Sequence, residues 1–438
     1  MSRNVPILSV VAAVVAVLSV LSVATVALAE TETTTSPPSP ITASATTGTT
    51  ATTATSAGIT STDTTASIAS TSGTSTTGAP TGTTTTAERV VVVPCGQDLD
   101  AIINADDPAI GTRFQLEGPC TYTVDTMVEL NEGDELAGPL ATFIERLPAF
   151  DPQPTVTIVG SEGLPHVIRA KGTVGLEWVK IIGGTGLYAA DGSPLAGTGS
   201  AVAMGMASDT SSLYAVHITG SDAAGIPNAH GTFERIELDD TTQDPNFLGF
   251  TGSGLKAINE VEVKNSYIHD NQGNGLWCDV FCRDSENHLN GFWVHENLIV
   301  NNGRAGIRFE RVGDVTDAGE ALIENNEVHG NSLELSRGAI DIRDAQDALV
   351  RNNVFGAKSI ADVSYLPNAS GVAIRATDSG RSDRPDLWNV DIVGNVLNGE
   401  QIRGCELPDE IAYCFEAAAV SPPPTDTTPP LTTIVPTP

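Results

Sequence analysis

Positive charge is scarce in this chain: 22 Lys and Arg stand against 54 Asp and Glu over 438 residues, a formal net charge of −32. Nucleic acid and anionic membranes both need Lys and Arg to offset their dense negative charge, so neither is an expected partner. An anionic glycan meets the same repulsion unless carboxylates hold a bridging divalent cation, which makes calcium the cofactor to consider. Acidity that simply confers solubility is the plainer reading. Also missing are a phosphate loop, a dinucleotide fingerprint and a nucleophile elbow, so no motif argues for nucleotide or α/β-hydrolase chemistry.

The two ends lack the large apolar residues that a folded core requires. Residues 30–87 are mostly Thr, Ser, Ala and Gly with almost no charge, and 419–438 are rich in Pro and Thr. Neither buries enough apolar surface to offset the entropy of ordering, so both are expected to be a disordered linker and tail around a domain at 88–418. Residues 1–29 carry one basic residue, Arg3, then an uncharged Val/Ala/Leu run, then Ala27-Leu28-Ala29 before Glu30. That is the pattern of a secretory signal peptide. The run is also long enough for an uncleaved anchor, but small residues where a signal peptidase reads favour release. A secreted, extracellular monomer with no membrane attachment in its mature form is expected.

Export accounts for an even set of cysteines: Cys95, Cys120, Cys278, Cys282, Cys405 and Cys414. In an oxidising compartment they read as disulfides. Proximity along the chain suggests Cys95–Cys120, Cys278–Cys282 and Cys405–Cys414. Zinc is a rival for Cys278 and Cys282, although no second Cys or His pair stands at a usual metal spacing.

The domain opens with a Val90–Val93 run and then Asp98-Leu-Asp-Ala-Ile-Ile-Asn104, whose Asp start and apolar spacing predict a short helix. A stack of strands exposes apolar side chains and unpaired edges at its end, so this helix is assigned as the N-terminal cap. From Val261 a repeat emerges. One apolar column holds Val263, Val294, Ile323, Val350 and Ile392, at steps of 31, 29, 27 and 42 residues. A second holds Ile268, Ile299, Val328, Phe355 and Leu397, and between them runs a polar column of Ser266, Asn297, Asn326, Asn353 and Asn395. Periods of about 20 to 50 residues indicate solenoids, propellers or arrays. Short β-branched strands broken by Asn and Gly narrow this to an all-β solenoid, with the Asn residues stacked at a bend.

The segments TGSGLKAINEVEVKNSYIHDNQGNGLWCDV, from Thr251, and GRAGIRFE, from Gly303, resemble right-handed parallel β-helix repeat proteins of the pectate-lyase-like superfamily, especially a bacterial secreted subgroup. The resemblance implies a right-handed parallel β-helix, and often lyase or hydrolase activity on glycans. Among lyases of this fold an Arg or Lys can serve as base beside calcium held by acidic side chains, but that acidic cluster cannot be matched residue by residue here.

With Val263 aligned to Val294, Leu276-Trp-Cys-Asp279 falls on Ile307-Arg-Phe-Glu310. Alternation then points Trp277, Asp279, Arg308 and Glu310 outward. Continuing through Ile340–Arg343 and Val372–Arg375 predicts outward columns Trp277, Arg308, Asp341, Ala373 and Asp279, Glu310, Arg343, Arg375. Asp279 and Glu310, on strands about 4.8 Å apart, are the candidate acid–base pair, since stacked like charges raise one carboxyl's pKa. Lys256, Trp277, Arg308, Asp341 and Arg343 are candidate substrate contacts, with Trp277 offering a flat face to a sugar ring. The alternative is an ordinary charged lattice on a solvated sheet. His269 beside Asp270 reads as a structural hydrogen-bonder. Asn368-Ala-Ser370 matches a glycosylation sequon. The leading expectation is a protein that binds and cleaves a polysaccharide or cell-surface glycan; the other is a non-catalytic adhesion rod projected by its Thr-rich tether.

Overall fold

The computed structural model describes residues 89–404, excluding 191–194, 196, 206–210, 243–251, 280–290, 311–320, 334–336, 361–362 and 378–386. The expected signal peptide, linker and tail, and Cys282, Cys405 and Cys414, lie outside the described residues. Almost every strand pairing is parallel and joins one turn to the next, which makes a right-handed parallel β-helix. No helix among the described residues is long and apolar enough to cross a membrane.

Each turn contributes to three faces. In the best-formed turns the first face is built from Leu276–Cys278, Ile307–Glu310, Ile340–Arg343 and Val372–Thr377. The second holds Phe292–His295, Ala321–Glu324, Gln346–Arg351 and Trp388–Val393. The third holds Tyr267–His269, Leu298–Val300, Glu327–His329 and Val354–Phe355. The long strand Leu255–Lys264 serves two faces at once, pairing through its first part with Leu276–Cys278 and through its last part with Phe292–His295.

The apolar columns read from sequence are register partners. Val263, Val294, Ile323, Val350 and Ile392 stack in turn, as do Ile268, Ile299, Val328 and Phe355. Phe233, Phe292, Phe309 and Phe355 are fully buried among them. Each such side chain is worth about 1.5–3 kcal/mol of burial.

The polar column is a continuous amide ladder at the corner between the second and third faces. The Asn297 side chain donates to Asn326 Oδ1 (3.0 Å) and to the Val263 carbonyl (2.9 Å), and Asn326 repeats this to Asn353 (2.9 Å) and Val294 (2.9 Å). Asn353 donates to Asn395 Oδ1 (3.0 Å), so the ladder runs to the last turn. Backbone N–H groups join it, from Ser266 to Asn297 Oδ1 at 2.9 Å and onward. The residue before each ladder position has a left-handed backbone: Asn265, Glu296, Asn325, Asn352 and Gly394. Asn tolerates that region better than most residues, which explains the Asn-Asn pairs.

A second ladder, unrecognised in the sequence, fixes the corner between the third and first faces. Asn271, Asn302, Asn331 and Asn368 stack in the same way and end on the Glu400 carboxylate. Asn368 is buried in it, with its Nδ2 held by the Val328 carbonyl at 3.1 Å. The sequon is therefore closed to modification in the folded chain.

At the N-terminal end the helix Leu99–Asn104 starts at Asp98, which accepts from Ala101 N at 3.1 Å, and sinks Leu99 and Ile103 into the core. Cys95 and Cys120 form a disulfide, as their proximity suggested.

Replacing Asn326 with Ala removes two donors and one doubly used acceptor from a corner without water access. Each orphaned group costs about 1–3 kcal/mol, so Asn326→Ala is expected to lower the urea midpoint strongly, and Ser359→Ala on an exposed hairpin to leave it unchanged. Equal midpoints would refute the ladder's role.

Candidate functional site

Alternation along the first face puts Lys256, Trp277, Arg308, Asp341 and Arg375 in one outward column, each the register partner of the next. This corrects the expected register by two residues in the last step: Ile340 pairs with Ile374, so Arg375 and not Ala373 follows Asp341, while Arg343 is followed by Thr377. Arg403 continues the column beyond Arg375.

The column is neither bare nor solvated. Trp277 and Lys256 are 9% exposed, Arg308 7%, Glu310 5% and Asp341 2%. Lys256 Nζ lies 4.4 Å from the centre of the Trp277 ring, and the Arg308 guanidinium carbon 5.6 Å from it. The indole is thus held between two cations by the attraction of its negative π-face. The broad apolar face expected to meet a sugar ring is covered.

Each carboxylate has its own cation. Asp279 takes Lys256 Nζ at 2.7 Å. Both oxygens of Glu310 are occupied by Arg308. Asp341 Oδ2 takes Arg337 at 3.2 Å, with Arg375 standing 4.0 Å from Oδ1. Calcium therefore does not fit this column, because the oxygens it would need already face Lys or Arg. Arg337 was not foreseen, although its place four residues before Asp341 was open to notice. Arg343 stands apart, half-exposed, with Asp344 at 3.9 Å.

Among the described residues, Trp277 Nε1, Arg308 Nε and Arg337 Nε are buried without a hydrogen-bond partner, and Asp341 Oδ1 has no hydrogen bond but the ion-pair contact with Arg375. Burial pulls the Arg308 guanidinium down from its ordinary pKa although Glu310 opposes this. Burial pushes the Asp341 carboxyl up despite Arg308, Arg337 and Arg375. Asp341 is accordingly the carboxyl on this face best suited to hold a proton.

No family model matches the chain, and no curated protein matches it. Among solved structures, the Dettilon tailspike protein is similar at 11% identity and a TM-score of 0.39, over 70% of this chain and 61% of that one. The A-module of the Azotobacter vinelandii mannuronan C-5 epimerase AlgE6 is similar at 14% identity and a TM-score of 0.37, over 74% of this chain and 94% of that one. PfbA, a surface adhesin of Streptococcus pneumoniae, gives 14% identity and a TM-score of 0.33, over 70% and 74%. Function has to be argued from this chain's own side chains.

The Arg308–Glu310 pair is buried enough that removing one partner strands the other. Arg308→Met is expected to cost about 3–5 kcal/mol in denaturant unfolding, with much of it regained in Arg308→Met/Glu310→Leu. Strictly additive effects of the two substitutions would show that the pair does not act as one.

Proposed function

We propose that this chain is a secreted, monomeric protein that binds a polysaccharide along the outward column of the first face and cleaves it by acid–base chemistry. The observation that carries the reading is the set of buried donors without a hydrogen-bond partner among the described residues, Trp277 Nε1, Arg308 Nε and Arg337 Nε, beside an oxygen of Asp341 that accepts no hydrogen bond. Such groups are costly to bury alone. Sugar hydroxyls and a uronate carboxylate are the acceptors that would match them, and Lys256, Arg308, Arg337 and Arg375 supply positive charge in an acidic protein.

The roles follow from each group's surroundings. Asp341, held up by burial, is the proton donor. Asp279, which faces Lys256 at 2.7 Å and is the most open carboxylate of the set, is the base. Glu310, occupied on both oxygens, positions Arg308. Trp277 holds Lys256 and Arg308 at its ring and offers its N–H to substrate, and Arg343 lies at the margin as a further contact. A proton delivered to the glycosidic oxygen with water or a ring proton taken by Asp279 gives hydrolysis or elimination respectively.

The second reading, a non-catalytic adhesion module, is favoured by one observation: Asp279 and Glu310 are both satisfied by cations, as in a structural lattice. A panel of neutral and acidic polysaccharides separates the two, with reducing ends and absorbance of unsaturated products both recorded. Cleavage is expected, with kcat falling about 100-fold or more in Asp341→Asn and Asp279→Asn. Binding without cleavage, unchanged in both variants, would leave the adhesion reading standing.

A further inference from the structure

The third face carries a polar cluster that the glycan reading does not use. His217 in His217–Thr219 and Glu237 in Glu237–Leu238 are register partners on adjacent turns. Glu237 pairs in turn with Tyr267, at the start of the strand that ends at His269. Asp239 follows two residues after Glu237, so its side chain leaves the same side of the chain. His217 Nδ1 lies 3.1 Å from Glu237 Oε2, and its Nε2 lies 3.0 Å from Asp239 Oδ1. His269 Nε2 lies 3.0 Å from Glu237 Oε1 and 3.9 Å from Asp239 Oδ2.

We propose that His217, Glu237 and Asp239, with His269 as a fourth donor, bind one divalent cation of the zinc class. One ligand atom from each of the first three lies within 4.8 Å of the others. Zinc bonds to His nitrogen and carboxylate oxygen at about 2.0–2.2 Å, so one nitrogen of His217 with one oxygen each of Glu237 and Asp239, all within 4.8 Å of one another, would draw in around a single ion by side-chain rotation, the other His217 nitrogen giving up its present contact. Mixed imidazole and carboxylate donors suit zinc better than calcium, which takes oxygen alone.

The surroundings have the form of a supported metal site. His269 turns its other nitrogen to Asp270 Oδ2 at 2.7 Å, the carboxylate contact that fixes a metal-bound imidazole's orientation. From outside the turn, the antiparallel hairpin Thr142–Arg146 and Ala149–Gln153 is folded onto this face, with Phe150 N donating to the Asn265 carbonyl at 2.9 Å. It brings Asp151, 3% exposed and bonded by Arg146 Nε at 2.8 Å, up against Glu237. Arg146 also lies over the Tyr267 ring at 4.8 Å. Glu237 and Asp151 are buried and Asp239 partly so, an arrangement that costs least with a cation among them, and Arg146 is already committed to Asp151.

The proposal stands independently of the glycan reading. Its test is zinc titration of the chelator-treated full-length secreted protein by calorimetry, with bound metal counted by elemental analysis. One equivalent is expected, with affinity falling at least about 10-fold in Asp239→Asn and in His217→Gln. Circular dichroism checks that both variants keep their β-signal, and two variants guard against one failing to fold. No saturable zinc in the wild type, unchanged affinity in the folded variants, or saturation by calcium but not zinc would each overturn it.

Discussion

The amide stack at the bends is the constraint on which the rest of this molecule depends. A parallel β-helix has no helix dipole or tight hairpin to set where one turn lies on the next; hydrophobic columns alone tolerate a slip along the strand. An Asn side chain that donates at once to the next Asn and to a backbone carbonyl tolerates none, because displacement orphans several buried groups together. With two corners of each turn tied in this way, the outward side chains of neighbouring strands come into columns whose spacing is that of the sheet.

The third corner, between the first and second faces, has no such ladder among the described residues. There the chain passes straight through in Leu255–Lys264, whereas on later turns the two faces are built from separate strands, as in Leu276–Cys278 and Phe292–His295. The Lys256 to Arg403 column lies on the strands that lead into this corner. Rigid scaffold on two sides and variable length on the third is a common arrangement for a binding surface. On that column Arg337 and Arg375 both approach Asp341.

Much of this was legible in the sequence for a simple reason: a column that repeats in register leaves the same residue type at nearly regular steps. Val263 to Ile392 and Ser266 to Asn395 could be read for that cause. The second ladder escaped because its last member changes type, from Asn368 to Glu400. The two-residue slip at Ile374 was invisible in principle, since alternation has period two and a slip of two keeps every inward residue inward. Alternation also distinguishes outward from inward but not covered from bare, so whether Trp277 is buried stayed open in the sequence. His217, Glu237 and Asp239 come from the less regular turns before the repeat, and the hairpin that brings Asp151 to them has no counterpart in the repeat. That left His269 looking like a solitary turn residue.

The closed sequon at Asn368 turns ladder formation into a race against time in any glycosylating host. Oligosaccharide transfer needs an extended, accessible Asn, whereas the native chain gives that same amide nitrogen to the Val328 carbonyl and Glu400. Whichever comes first excludes the other. The fraction of chains carrying sugar at that position would thus act as an internal clock for how fast the last turns settle into place.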